Sequence, residues 1–193
     1  MRFIGDTHTK FEEYRAIKNE VDKSIQVGDF GFGFRDVPED IFRETDRFIL
    51  GNHDDPHLGR QNPAHLESGH EWEGVFAFNG AASSDRCSRI ENVDWWAAEE
   101  HTYDEFNSIL DKWEVSSCDV VVSHDCPQEI YPLISSHHRY DEASKTRQAL
   151  SSLIYIRKPK IFIFGHHHKS FDEVYEDIRF ICLPELKFID IDM

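Results

Sequence analysis

Five short apolar runs in this chain each close on a small residue followed by Asp, Asn or His. They are Arg2-Phe3-Ile4-Gly5-Asp6, Ile25-Gln26-Val27-Gly28-Asp29, Phe48-Ile49-Leu50-Gly51-Asn52, Val120-Val121-Val122-Ser123-His124 and Ile161-Phe162-Ile163-Phe164-Gly165-His166. Continuous β-branched and aromatic runs of this length, ending at Gly or Ser, predict strands buried on both faces. Between them apolar residues recur at helical spacing: Phe11, Tyr14, Ile17 and Val21, then Phe106, Ile109, Leu110 and Trp113, and again through Glu142 to Arg157. The stretch from Gly51 to Gly74 reads as a long loop, and Asp177 to Leu183 and Lys187 to Ile191 read as closing strands. Strand and helix alternation predicts a layered α/β domain, in which ligands gather in the crevice beyond the strand carboxyl ends. All five polar tips would converge there. No linker interrupts the pattern, so residues 1–193 are expected to form one domain.

Composition narrows the class. With 39% apolar residues, 15 Phe among them, the chain is too hydrophobic for disorder. No run approaches the roughly 18 apolar residues of a membrane span, and the first residues run straight into Met1-Arg2-Phe3-Ile4-Gly5-Asp6 without a signal pattern. A cytoplasmic protein with no membrane partner is the expectation. Cys87, Cys118, Cys126 and Cys182 form no C-x-x-C pair, which predicts reduced, structural thiols. The net charge of −16 repels polyanions and argues against a long nucleic acid as partner, while leaving a nucleotide open.

The polar tips carry the chemistry. Asp6 and His8 stand two apart, so on a continuing extended backbone they project to the same side, and His166 and His168 repeat the arrangement while His167 points elsewhere, backing the ligands or facing solvent. With Asp29, Asn52 and His124 they make seven oxygen and imidazole donors and no thiolate. That set suits two borderline divalent cations, manganese first, with iron, zinc or nickel as alternatives. The isolated His57, His65, His70, His101, His137 and His138 read as surface or core residues.

In order along the chain, the motifs D-x-H, G-D, G-N-H-D, a lone His and G-H-x-H resemble those of the calcineurin-like metallophosphoesterase family, over Asp6 to His168. Each motif alone is weak; the ordered set at strand ends is specific. The resemblance implies a two-sheet β-sandwich flanked by α-helices, with the active site at strand C-terminal ends, which alternation alone does not separate from a doubly wound sheet. It further implies one metal on Asp6, His8 and His168, a second on Asn52, His124 and His166, and Asp29 bridging them. A hydroxide bridging the two ions would then be the nucleophile. His53 matches the family histidine that contacts substrate and protonates the leaving oxygen. Asp54 either orients that imidazole or serves as a turn or cap residue in Asp54-Asp55-Pro56. The segment from Asn79 to Trp96, with Trp95 and Trp96 at its end, is similar to one in small bacterial and phage members.

The pattern also departs from parts of that family. Gly28-Asp29 continues as Phe30-Gly31-Phe32-Gly33-Phe34-Arg35, without the Asp-Arg-Gly of the serine/threonine protein phosphatases, and His53-Asp54 stands where they have His-Glu. Arg86 and Arg89 either meet a phosphate or pair with surface acids, and Arg35 is a candidate phosphate clamp whose reach is left open by the turning loop that Gly31 and Gly33 mark. The expected activity is hydrolysis of a small phosphomonoester or phosphodiester, a nucleotide included. A nuclease, a protein phosphatase and a catalytically silent metal-binding scaffold of the same fold are the alternatives.

Overall fold

The computed structural model describes residues 1–135 and 144–193, and within them the strands form two sheets. The smaller has the order β10-β1-β2-β3, with β1 at Arg2–Ile4, β2 at Ser24–Gln26, β3 at Asp46–Phe48 and β10 at Phe188–Asp190. The larger has the order β4-β5-β6-β7-β9-β8, with β4 at Glu71–Trp72, β5 at Val75–Phe78, β6 at Val120–Ser123, β7 at Ile161–Phe164, β8 at Phe171–Tyr175 and β9 at Ile178–Cys182. β1, β2 and β3 are parallel to one another, as are β5, β6, β7 and β9; β10, β4 and β8 pair antiparallel at the edges.

Alternation along the strands explains why the apolar runs are continuous. Side chains at successive positions face opposite sides of a sheet. Phe3, Val75, Ala77, Val120, Val122, Ile163 and Ile181 pack in the space between the two sheets. Their neighbours Phe76, Phe78, Val121, Phe162, Phe164 and Phe180 face the other way, onto Phe106, Ile109 and Trp113 of helix α3 (Tyr103–Glu114) and Leu150 and Leu153 of α5 (Lys145–Ile156). On the smaller sheet Ile4 and Phe48 turn outward to Phe11 and Tyr14 of α1 (Phe11–Lys18) and to Phe30. The architecture is therefore a sandwich clothed by helices, not a doubly wound sheet.

Local signals set the helix ends. Thr102 caps α3 in a reciprocal capping box with Glu105, and Ser144 caps α5 through the amide of Arg147. Glu142 and the two histidines at 137 and 138 lie outside the described residues, so α5 is observed only from Lys145.

The elements depart from expectation in several places, first at β5, a fully buried interior strand that the five apolar runs do not include. The stretch read as one loop contains α2 (Pro56–Gln61), started by the Asp55 side chain on the amides of His57 and Leu58 with Pro56 in the first turn, and it also contains β4. The strand β8 was invisible to hydrophobic patterning because it is a largely exposed edge strand, Phe-Asp-Glu-Val-Tyr, held by pairing with β9. A further helix, α4 (Tyr131–Ile134), is only one turn long. All four cysteines are free, three of them buried, and among the described residues no helix is long and apolar enough to cross a membrane.

Candidate metal centre

Each parallel strand of the predicted set delivers its polar tip to one end of the sandwich: Asp6 after β1, Asp29 after β2, Asn52 after β3, His124 after β6, and His166 and His168 after β7. Asp6, His8, Asp29 and His168 bring one ligand atom each within 4.8 Å of one another, and so do Asp29, His124 and His166. Asp29 is common to both groups. In the first, His168 Nε2 lies 3.0 Å from Asp6 Oδ2 and 3.1 Å from His8 Nε2, with His8 Nε2 3.8 Å from Asp29 Oδ2. In the second, His124 Nε2 lies 3.1 Å from Asp29 Oδ1, and the His124 and His166 rings are 5.1 Å apart.

The extended-backbone reasoning for the paired ligands does not hold. His8, Asp29, His166 and His168 all take positive φ, at 44°, 58°, 66° and 53°, a region costly for residues with a Cβ. Backbone hydrogen bonds offset that cost: the amides of Thr7 and His8 both donate to the Asp29 carbonyl, and the His166 amide donates to both oxygens of Asp6 at 3.2 Å. The ligands meet because the chain turns sharply after each strand. Gly51 and Gly165 make the crowding possible, since a Cβ on Gly51 would collide with Asp29 Oδ1 and His124 Nε2, and one on Gly165 with Asp6 Oδ1.

Electrostatics test whether these residues fit cations. His124 Nδ1 faces the Val27 carbonyl at 2.8 Å; a carbonyl only accepts, so Nδ1 carries the hydrogen and Nε2 points a lone pair at the Asp29 carboxylate. Two acceptors so close require a positive charge. Burial alone would lower the His124 pKa, but the Asp29 charge outweighs it and raises it, and conversely His124, His53 and His8 hold the Asp29 carboxyl well below the usual range against its burial. A divalent ion can replace that proton, because metal and proton compete for the same ligand atoms. Asn52 adds a second sign. Its Nδ2 donates to Ser83 Oγ at 3.1 Å, and Ser83 is in turn fixed by Glu99 at 2.6 Å, which leaves the buried Asn52 Oδ1 as an acceptor without a hydrogen-bond partner among the described residues. Imidazoles, carboxylates and an amide oxygen, with no thiolate, fit two hard-to-borderline divalent cations.

Around the ligands lies a cavity of about 310 Å³ lined by Asp29, Asn52, His53, Ser84, Asp85, Tyr131, Arg147 and His166 to His168. His53 has its amide on Asp29 Oδ1 at 2.7 Å, and burial lowers the pKa of its ring. Among the described residues no hydrogen bond joins the Asp54 carboxylate to the His53 ring; Asp54 serves the turn, not a helix cap. Its fully buried carboxylate accepts four backbone amides, from Gly31 (2.7 Å) and Phe32 (3.0 Å) on one oxygen and Gly51 (2.9 Å) and Phe30 (3.2 Å) on the other. Asp54 therefore staples the loop after β2 to the loop after β3, and the helix cap is its neighbour Asp55. Burial and the Asp29 charge push its pKa up to about 7 against those amides.

The structure also separates residues that the sequence left undivided. His167 backs the site, with Nε2 3.0 Å from the buried Asp125, which Arg147 Nε also holds at 2.9 Å. Asp125 and Arg147 carried no motif; the pairing of a buried acid with an arginine of α5 is a tertiary contact across 22 residues. Arg35 is exposed on a separate groove with Phe32, Phe34 and Leu58, Arg86 is exposed, and Arg89 reaches a candidate site residue, His53. His65 and His101 line a different pocket, His65 on Asn79 Oδ1 and His101 on Ser68 Oγ, as structural imidazoles.

A helix-clad two-sheet sandwich with carboxylates and imidazoles gathered at its strand ends defines a scaffold with a candidate metal site. The model of the calcineurin-like phosphoesterases matches residues 2–170, and the chain belongs to that family. Among solved structures it is similar to the protein TT1561 of Thermus thermophilus, with a TM-score of 0.57 at 12% identity over 96% of this chain and 89% of that one. A conserved uncharacterized protein of Streptococcus pneumoniae, described as a predicted phosphoesterase, aligns at 12% identity over 95% of this chain and 72% of that one, with a TM-score of 0.41. Among curated proteins none matches. Family membership brings metal-dependent phosphoester hydrolysis and divalent ions as its cofactors.

Proposed function

We propose that the protein hydrolyses small phosphate esters, monoesters or diesters and nucleotides among them, with two divalent cations, manganese first. One cation would be held by Asp6, His8 and His168, the other by Asn52, His124 and His166, with Asp29 shared. The observation that carries this reading is the Asp29 carboxylate, the one side chain common to both ligand groups.

When bound, the ions supply an activated water and neutralise the charge that builds on the phosphoryl oxygens. The remaining work belongs to the chain. Asp29 ties the two halves of the site together and also holds the His53 amide, so the histidine is placed relative to the shared ligand. The Asn52 amide is turned by Ser83 and Glu99 so that its oxygen, not its nitrogen, faces the centre. His53 lies on the cavity wall, where its imidazole can meet the leaving oxygen. An acidic surface, net −16, favours small anions drawn in by the metal charge over a long polynucleotide.

The test is a panel with manganese-loaded protein: p-nitrophenyl phosphate, its bis ester, cyclic nucleotides and labelled single-stranded DNA, together with metal analysis. Turnover of the small esters with two ions per chain is expected. Two bound ions without any turnover would replace the enzyme by a scaffold, faster cleavage of DNA would make it a nuclease, and one ion per chain would remove the bridging role of Asp29.

A further inference from the structure

Beside His53 stands a guanidinium that belongs to none of the metal-binding motifs. Arg89 Nη2 lies 3.3 Å from His53 Nε2. The same guanidinium is held in a fixed plane by the Asp85 carboxylate, Nε on Oδ1 at 2.7 Å and Nη2 on Oδ2 at 2.8 Å, and Nη1 donates to the Asp94 carbonyl at 2.9 Å. Such a two-point fork sets orientation as well as position, which a single ammonium would not do. The loop that carries it is braced: the Ile90 amide closes on Asp94 Oδ1 at 2.6 Å, and its base is fixed by Glu99 on Ser83, the residue that also turns Asn52.

An arginine has hydrogens to give and no lone pair to offer. In the Arg89 contact His53 Nε2 must therefore accept, which leaves the ring hydrogen on Nδ1. His53 is thus held by its amide on Asp29, by its ring edge-on against His8 at 5.5 Å and tilted on Phe34 at 5.9 Å between centroids, and by its Nε2 on Arg89.

We propose that Arg89, aimed by Asp85, is the positioning residue of this site: it fixes the rotation of the His53 imidazole and selects the tautomer with the hydrogen on Nδ1, so that Nδ1–H is the group presented to substrate. This rests on the reading that His53 faces substrate. A plain loop brace would use the Asp85–Arg89 pair but would not need the contact to His53.

The experiment has two arms on the metal-loaded protein. In the zinc form, two-dimensional proton–nitrogen spectra of the histidine rings report which nitrogen of His53 carries hydrogen, with the His53→Ala protein giving the assignment. The Nδ1–H form is expected in the native protein, and a shift toward Nε2–H in Arg89→Ala and in the gentler Arg89→Gln. In the kinetic arm, Arg89→Ala is expected to lower kcat by about 10- to 100-fold, the scale of a small misplacement of a reacting group, with KM within about twofold and two ions retained. Added guanidinium should restore part of the rate to Arg89→Ala, and Arg89→Lys should remain impaired. Nε2–H in the native protein, or a native tautomer together with native kcat in Arg89→Ala, overturns the proposal. The spectra decide it even if no ester is turned over, so its failure is distinct from that of the proposed function.

Discussion

Replacing Asp54 by Asn is the sharpest test of how the loops after β2 and β3 are joined. Each carboxylate oxygen of Asp54 accepts two buried amides, Gly31 and Phe32 on Oδ1 and Phe30 and Gly51 on Oδ2. An Asn retains one oxygen and turns an NH2 toward the other pair, so two buried N–H groups lose their acceptor whichever way the amide is flipped. Leaving a buried donor unsatisfied costs about 1–3 kcal/mol, so the expected loss is about 4 kcal/mol, a large share of a typical stability of about 5–15 kcal/mol. The measurement is urea unfolding of native and Asp54→Asn proteins with chelator present, since bound metal would add its own stabilisation. It should be made at about pH 5 and again at about pH 8.5, because a carboxyl whose folded pKa is raised to about 7 costs stability as the pH rises through that value, so the native protein's advantage over Asp54→Asn should be fullest at the lower pH and narrow toward the higher. If Asp54 instead served to orient His53, the variant would lose turnover at nearly full stability. A destabilisation below about 1 kcal/mol would refute the stapling argument.

Three further outcomes follow from the same geometry. His53→Ala should keep two ions by metal analysis while kcat falls about 10²- to 10³-fold, the usual worth of a hydrogen-bond donor aimed at developing charge; loss of an ion instead would make His53 a ligand. Gly51→Ala places a methyl against Asp29 and His124 and should reduce bound metal below that of the native chain, read by elemental analysis, whereas unchanged stoichiometry and affinity would show that the crowding relaxes. The third concerns acid stability. Asp46 is fully buried among Lys18, Ser24 and Arg43, and although burial opposes it, the Arg43 and Lys18 contacts hold its pKa at about 2 against an ordinary 3.8. A depressed carboxyl stabilises the fold above the ordinary value and loses that contribution as the pH falls from 3.8 through about 2. The stability difference between native and Asp46→Asn proteins should therefore shrink by about 2 kcal/mol across that window, at about 1.4 kcal/mol per pKa unit; a difference independent of pH would show that the ion pairs do not act through charge.

What the sequence made legible is what repeats locally. A strand buried on both faces writes itself as an unbroken apolar run, and the ligand at its end is marked by the glycine that lets another ligand approach, as at Gly51 and Gly165. Hence the layered class and the grouping of Asp6, His8, Asp29, His124, His166 and His168 could be anticipated without coordinates. The partners that aim those ligands were not legible. Ser83 meets Asn52 across 31 residues and is itself held by Glu99 a further 16 along, Arg147 reaches Asp125 from a helix, and Arg89 meets His53 across 36 residues. Such contacts depend on loop paths, for which no short-range period exists. Asp54 shows the same limit in reverse: adjacency to His53 suggested a partnership, yet three of its four amide partners belong to a loop more than twenty residues earlier.

The division has a physical consequence for the site. Strand ends anchored by cores on both sides cannot shift independently, so the ligand positions are preorganised by the sandwich itself; a metal centre built there needs little reorganisation when it loads. His53 has no such support, because it follows Asn52 into a loop and, among the described residues, is held by its amide, by ring packing on His8 and Phe34 and by Arg89. The strand ends place the clustered carboxylates and imidazoles, whereas the loop after β5 does two things: Ser83 at its base turns Asn52, and Arg89 further along meets His53. Substitutions at Asp85 or Arg89 should therefore change turnover without changing how much metal is held, whereas substitutions at Ser83 or at the strand ends should lose both together.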